Sequence, residues 1–345
     1  MSERLREFIP ERAPCPEIFN REGFASLFEG FLADLEGWEV ELLSADRENR
    51  EDLRHSGEGY LVALREKYGN APEVALFESV WSLFGTKHGL GFNAQIAGER
   101  LAVATAERQE KKERFLVSCL GPLGAGKTQL ARHLAQNLNA SFSQEAYQEN
   151  PFVSASYSAQ GNGVAFRSQL YFLFSDVWQL IIDQTSENGN DRWVRDTHPF
   201  SDALVFCQWM AQSGEISGQE SEIYAKLWRL IEDVIPKPDL MVVLRPISAE
   251  ALAAGIADRA RDCGGKAGKR AYELGLTQED LQLFINTTNT ATNFLEKLGV
   301  KVLVLQIDPR RIYEDGDFKY AIGYEVKGRL GILGELINPA PEQTV

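Results

Sequence analysis

The chain has 345 residues, of which 44% are hydrophobic, 10% aromatic and 25% charged, a composition that excludes wholesale disorder, collagen-like sequence and a coiled-coil rod. Its net charge of −14 argues against a protein that coats nucleic acid, because neutralising many phosphates calls for a basic surface. No apolar run is long enough to span a bilayer and no basic-then-apolar signal opens the chain, so a cytoplasmic protein with no membrane partner is expected.

Residues 1–20 read as an irregular lead-in marked by Pro10, Pro14 and Pro16. Apolar residues then recur at helical spacing over 21–43 (Phe24, Leu27, Phe28, Phe31, Leu32, Leu35), and further helices are expected over 51–68, 72–84 and 94–114. No strand signal precedes Phe115, so the first third of the chain is expected to be all-helical. Residues 1–114 carry 22 acidic and 15 basic residues, half of the net charge, so this part is no basic arm. From the apolar run FLVSCL (Phe115–Leu120) onward, strand and helix patterns alternate. Strands are expected at 115–120, 141–145, 193–196, 240–244 and 302–307. Helices are expected over 127–137, 166–183, 200–213, 220–235, 249–258 and 278–298. This alternation predicts an α/β fold with a parallel sheet flanked by helices on both faces. The chain thus divides into a helical extension (1–113), an α/β domain (114–338) and a short tail (339–345). The four cysteines, Cys15, Cys119, Cys207 and Cys263, lack metal-ligand spacing and read as structural thiols of a reducing compartment.

The first strand runs directly into GPLGAGKT at residues 121–128, the G-x-x-x-x-G-K-[ST] phosphate loop in its required strand–loop–helix setting. Gly121, Gly124 and Gly126, with Ala125 between the last two, let the backbone approach phosphate oxygens. The loop amides and the helix start, continuing through Gln129, offer partial positive charge. Lys127 suits the β- and γ-phosphates of ATP, and the Thr128 hydroxyl suits Mg²⁺. A guanine-reading N/T-K-x-D and an apolar strand ending Asp-Glu are not found in suitable places, which argues against a G protein and a mechanical ATPase.

Downstream segments in order are QEAYQENPFV (144–153), FRSQLYFLFS (166–175), RDTHPFSDALVF (195–206), KPDLMVVL (237–244) and DRARD (258–262). In this order and spacing they resemble the deoxynucleoside kinase family over residues 115–320, about 60% of the chain. The resemblance implies a five-stranded P-loop kinase and gives each matching residue a role. Glu145 matches the general base on the acceptor hydroxyl, although Ala146 replaces the family's proline. Gln169 and Asp202 match residues that read the nucleobase, with Tyr171 as a neighbouring ring. Asp196 matches the acidic residue that helps hold Mg²⁺. Arg259 and Arg261 match lid arginines that clamp the transferring phosphoryl group, followed by a basic glycine-rich stretch with Lys266, Lys269 and Arg270. Phe318 matches a stacking partner for the adenine of ATP. The resemblance also implies dimer formation through helices.

Three arginines of the family are missing: their positions carry Thr197, Asp176 and Gly255. Two of these losses fall on the acceptor side, so Asp202 should find another partner, with His198 and Arg195 as candidates; His198 is then also a substrate-side residue. The expected activity is ATP-dependent transfer of the γ-phosphate to a hydroxyl of a deoxynucleoside-like small molecule. The altered acceptor side leaves two alternatives: a nucleoside monophosphate or hydroxymethylated base in DNA as acceptor, or a non-catalytic nucleotide-binding protein. The helical extension is expected to cover the acceptor cleft or bring a partner to it.

Overall fold

The computed structural model describes residues 21–42, 47–69, 71–88, 90, 114–145, 147–153, 163–185, 191–262 and 271–332. The expected tail at 339–345, the glycine-rich stretch at 263–270 and, but for Arg114, the helix expected over 94–114 lie outside these residues. Three helices come first: α1 (Arg21–Leu42), α2 (Arg47–Tyr68) and α3 (Pro72–His88). The α/β part follows as β1 (Phe115–Leu120), α4 (Lys127–Asn137), β2 (Ser141–Ser143), α5 (Val164–Thr185) and β3 (Arg192–Arg195). A helical stretch over 199–212, α6, comes next and holds a π-helical turn at Asp202–Phe206. The chain continues through α7 (Gly218–Ile231), β4 (Leu240–Pro246), α8 (Ala249–Asp262), α9 (Gln278–Lys297), β5 (Val302–Ile307), α10 (Pro309–Glu314) and α11 (Gly316–Leu330). No described helix is long and apolar enough to cross a membrane.

The five strands form one sheet in the order β2-β3-β1-β4-β5, and every pairing is parallel. Val117 of β1 stands opposite Val194 on one side and Leu240 on the other. From β1 the chain goes to β2 at one edge, returns as β3 between the two, and then crosses β1 to β4 and β5 on the other side. That reversal opens a crevice at the carboxyl ends of the strands, where ligands bind in open α/β sheets. Period-two alternation divides the core. Phe115, Val117 and Cys119 face a cluster with α4, α8 and α11, whereas Leu116 and Leu120 face a cluster with α5, α6, α7 and α9. Cys119 and Cys207 are buried, and burial pushes both thiols up, which suits inert core residues.

Helix ends are set by local chemistry. Ser217 and Glu220 form a reciprocal capping box, so α7 starts at Gly218, two residues before the start that apolar spacing indicates. The strand expected over 141–145 ends at Ser143, which leaves Glu145 in the loop beyond it.

The helical extension shares the core of the α/β part on the α5 side of the sheet. Phe24 and Phe28 of α1 meet Phe166 of α5 at ring separations of 6.1 and 6.3 Å, and Phe77 of α3 stands 5.0 Å from Phe28. A buried ion pair joins Glu73 of α3 to Arg167 of α5 at 2.7 Å, with side-chain exposures of 0% and 3%. Lys226 of α7 binds Glu29 of α1 at 2.9 Å near the surface. Removing one partner of a buried pair leaves an uncompensated charge at a cost of about 3–5 kcal/mol. Glu73→Ala is expected to lower the unfolding free energy measured in urea by about 3–5 kcal/mol while keeping a single transition for the helical and α/β parts together. Two separated transitions in the wild-type chain would show that the parts unfold independently.

Candidate active site

Three strand ends, those of β1, β2 and β3, meet at the crevice. After β1, the loop turns through Gly124 at φ +77° and Gly126 at φ +89°, a left-handed backbone that glycine adopts without strain. A Cβ on Gly124 would stand 2.4 Å from Ile256 Cγ1 of α8, so the loop is also packed too closely for a side chain there. Gly126 caps α4 in this conformation, Ala125 is buried beneath the loop, and Gln129 is exposed on the first turn. Lys127 Nζ donates to the carbonyls of Gly121 at 2.8 Å and Pro122 at 3.0 Å, which holds the ammonium over the loop. It also stands 5.4 Å from the ring centre of Phe206.

Asp196, just past β3, ties the loops together. Its carboxylate accepts from Thr128 Oγ1 at 3.0 Å and from the Glu145 amide at 2.9 Å. Burial pushes the Asp196 carboxyl up, and the Glu145 amide, Thr128, Lys127 and Arg195 oppose that shift. Two hard oxygen donors, one hydroxyl and one carboxylate, are thereby placed side by side next to the phosphate loop, a donor set that fits Mg²⁺.

On the other face of the sheet, Arg195 is 1% exposed. Its guanidinium binds Asp183 and Asp176 of α5, the latter at 3.5 Å, and donates to Ser143 Oγ of β2 at 3.1 Å. Gln169, Asp176 and Asp183 are spaced seven residues apart and so share one stripe of α5. Asp202 opens the π-helical turn of α6. The carboxylate oxygens of Glu145, Asp176 and Asp202 lie within 4.8 Å of one another. Burial pushes the Asp176 carboxyl up to about 7, against the pull of Arg195. Burial, with Asp176 and Glu145 nearby, raises Asp202 well above the usual carboxylate range. Gln169 Oε1 and Asp202 Oδ2 are buried acceptor atoms with no hydrogen-bond partner, and the Thr197 hydroxyl lies beside the Asp176 carboxyl.

The expected site residues therefore separate. Gln169 is buried on the α5 stripe that carries Asp176, and the phosphate loop, Glu145, Asp196 and Asp202 are brought to the crevice. His198 is not: its ring is buried, Nδ1 accepts from the Phe200 amide at 3.2 Å as the cap of α6, and Nε2 lies 3.1 Å from the Pro236 carbonyl. Tyr171 lies about 200° around α5 from Gln169, away from the stripe that carries Asp176. Its phenol is raised by burial. Asp202 is bound by neither of the expected partners; Arg195 is committed to Asp176 and Asp183 instead. Phe318 is half-buried on α11 with the Arg311 guanidinium 4.2 Å from its ring centre. Arg259 and Arg261 belong to α8, and their side chains lie outside the described residues. Gly255 sits where an arginine was expected because α8 lies against the phosphate loop: a Cβ there would stand 2.9 Å from Pro309 Cβ and 3.2 Å from the Gly124 carbonyl.

Sequence reasoning missed Arg195 and Asp183 as a buried pair, and it registered Asp176 only as a lost arginine. The heptad spacing of Gln169, Asp176 and Asp183 was the available signal. Asn150 was also missed: it donates to the Ser168 carbonyl at 3.1 Å and hydroxyl at 3.0 Å, pinning the loop after β2 to α5 one residue before Gln169.

The deoxynucleoside kinase family model matches residues 117–298, more than half of the chain. The chain belongs to the deoxynucleoside kinase family. This kinase is 24% identical over 189 residues to the deoxyguanosine kinase of Bacillus subtilis (strain 168), a match covering 54% of this chain and 83% of that one. It is 28% identical over 194 residues to the deoxyadenosine kinase of Dictyostelium discoideum, covering 56% and 71% of the two chains. A solved structure of deoxyadenosine kinase from M. mycoides with bound dATP superposes with a TM-score of 0.50 at 15% identity, over 62% of this chain and 99% of that one, which shows the shared fold. The family consists of ATP-dependent phosphotransferases acting on a deoxynucleoside hydroxyl, and this kinase is a phosphotransferase of that class.

The raised carboxyl of Asp176 has a consequence for stability. A carboxyl that titrates at about 7 when folded and near 3.9 when unfolded binds more protons in the folded state between those values. Its contribution to stability is therefore present at acid pH and declines as pH rises from about 4 to 7. The urea midpoint of Asp176→Asn is expected to vary less over that range than that of the wild type; equal slopes would refute the assignment.

Proposed function

We propose that this kinase transfers the γ-phosphoryl group of ATP to a hydroxyl of a free deoxynucleoside, with Glu145 as general base. The observation that carries this reading is the junction at Asp196. One carboxylate holds both the phosphate-loop hydroxyl and the backbone of Glu145, so donor and acceptor chemistry share one anchor. Lys127 and the loop amides bind the β- and γ-phosphates. Thr128 and Asp196 would hold Mg²⁺, which would supply charge neutralisation at the phosphates. Glu145 takes the proton of the acceptor hydroxyl as its oxygen bonds to the γ-phosphorus and the bond to the β-phosphate oxygen breaks, releasing ADP. Arg259 and Arg261 supply planar cations for the charge spread over the transferring group. Phe318 offers a ring face to adenine.

The charge of the acceptor side favours a free nucleoside over the alternatives. Glu145, Asp176 and Asp202 crowd three carboxylates together. An acceptor monophosphate, or the phosphates of DNA, would find carboxyl groups there where the family has arginines.

Glu145→Gln keeps the shape of the side chain and removes the base. Its kcat for transfer to the best deoxynucleoside is expected to fall by roughly 10²–10⁴. ATP affinity, measured by calorimetry, is expected to stay within about twofold. A variant that retains wild-type turnover would overturn the base assignment.

A further inference from the structure

Strand β2 ends at Ser143, so Glu145 lies beyond the ladder of the sheet and its position depends on side-chain contacts. At the near end of its loop, the Glu145 amide donates to Asp196 at 2.9 Å. At the far end, a 3₁₀ turn over Tyr147–Glu149 leads to Asn150, which is buried. Asn150 Nδ2 donates to the Ser168 carbonyl at 3.1 Å and hydroxyl at 3.0 Å, and its Oδ1 accepts from the Phe152 amide at 2.9 Å. Ser168 is fully buried in α5, and Phe152 is seated in the core beside it in sequence order of the loop. The residue before Ser168 is Arg167. Its guanidinium binds Glu73 Oε1 at 2.7 Å, donates to the Gly163 carbonyl at 3.3 Å and stands 5.5 Å from the ring centre of Phe24. Glu73 lies in the first turn of α3, where a carboxylate is also favoured by the helix dipole. Buried polar contacts therefore run from the helical extension, through two neighbouring residues of α5, to the loop that carries Glu145.

Resting on the kinase reading above, we propose that Glu73 and Asn150 are positioning residues for phosphoryl transfer: Glu73 fixes the start of α5 through Arg167, and Asn150 fixes the Glu145 loop to α5 through Ser168. The helical extension is then a working part of the kinase. A base must stand within hydrogen-bond reach of the proton it takes, and a misplacement of about 1 Å can cost roughly 10²-fold in rate. With its far end released, the loop would hold Glu145 by the Asp196 bond alone. The phosphate loop is set differently: Lys127 is held by the carbonyls of Gly121 and Pro122, with no part taken by α5 or the extension. Loss of either positioning residue therefore acts on turnover and spares ATP binding.

The test measures steady-state transfer from Mg-ATP to the best deoxynucleoside, with the full chain and at a temperature where every variant is folded. Asn150→Ala is expected to lower kcat by roughly 10- to 100-fold while KM for ATP stays within about twofold. Glu73→Gln keeps the shape of the side chain, removes its charge and is expected to lower kcat about tenfold, again at unchanged KM for ATP. Both act through the start of α5, so the double variant is expected to stay within about twofold of the slower single one; losses that multiply would overturn the linkage. Leu35→Ala is the control. Leu35 is buried about three turns along α1 from Phe24, so its loss weakens the extension away from Arg167, and kcat is expected to stay within about twofold while the urea midpoint falls. A kcat loss there as large as in Glu73→Gln would make the extension a stabiliser only and overturn the inference. Asn150→Ala decides the matter if Glu73→Gln does not fold. Wild-type kcat in Asn150→Ala would overturn the inference and leave the kinase reading standing, whereas a wild-type chain that binds ATP and transfers to no deoxynucleoside would overturn both.

Discussion

The carboxylate of Asp196 accepts a hydrogen bond from the Thr128 hydroxyl and another from the Glu145 backbone, and through these two bonds the loops after β1, β2 and β3 become one site. The adjacent residue, Arg195, points to the opposite face of the sheet and fastens β2 and β3 to α5 through Ser143, Asp176 and Asp183. Two successive residues where β3 ends thus organise the two halves of the site, because side chains alternate along an extended chain. Asp196 sets the phosphate side and Arg195 sets the acceptor side. A guanidinium buried this deeply is tolerable because carboxylates are buried with it.

This arrangement shifts positive charge from the cleft to the layer behind it. Thr197 and Asp176 stand where arginines were expected, and Arg195 supplies a cation from behind α5 instead. The cleft then presents carboxylates and an amide, and their raised proton affinity follows from burial and mutual repulsion. The helical extension bears on the same element. Glu73 grips Arg167, two residues before Gln169, while Phe24 and Phe28 pack on Phe166. The helix that carries the acceptor-reading stripe is thus held by the sheet on one side and by α1 and α3 on the other.

The phosphate loop was legible in the sequence because its chemistry is local: glycines, lysine and threonine at fixed spacing act within a single turn. β1, α4 and β5 were legible at both ends because unbroken apolar or amphipathic runs start and stop at clear punctuation. The start of α7 shifted by two residues because Ser217 and Glu220, which are polar, define it. His198 looked available beside a motif residue and proved to be a helix cap with both ring nitrogens engaged.

By itself the sequence determined the kind of fold, the phosphate site and the residue types of the acceptor side, since each is written in short-range periodicity or motif spacing. Tertiary structure decided how those residues meet. Glu73 reaches Arg167 across 94 positions, and Glu145 lies 51 positions from the carboxylate that anchors its backbone. Only the folding of α5 against β3 turns Asp176 from a lost arginine into the neighbour of Asp202 and Glu145. Charge and burial at that point are properties of the assembled core, where distant segments exclude water together, and no local pattern carries them.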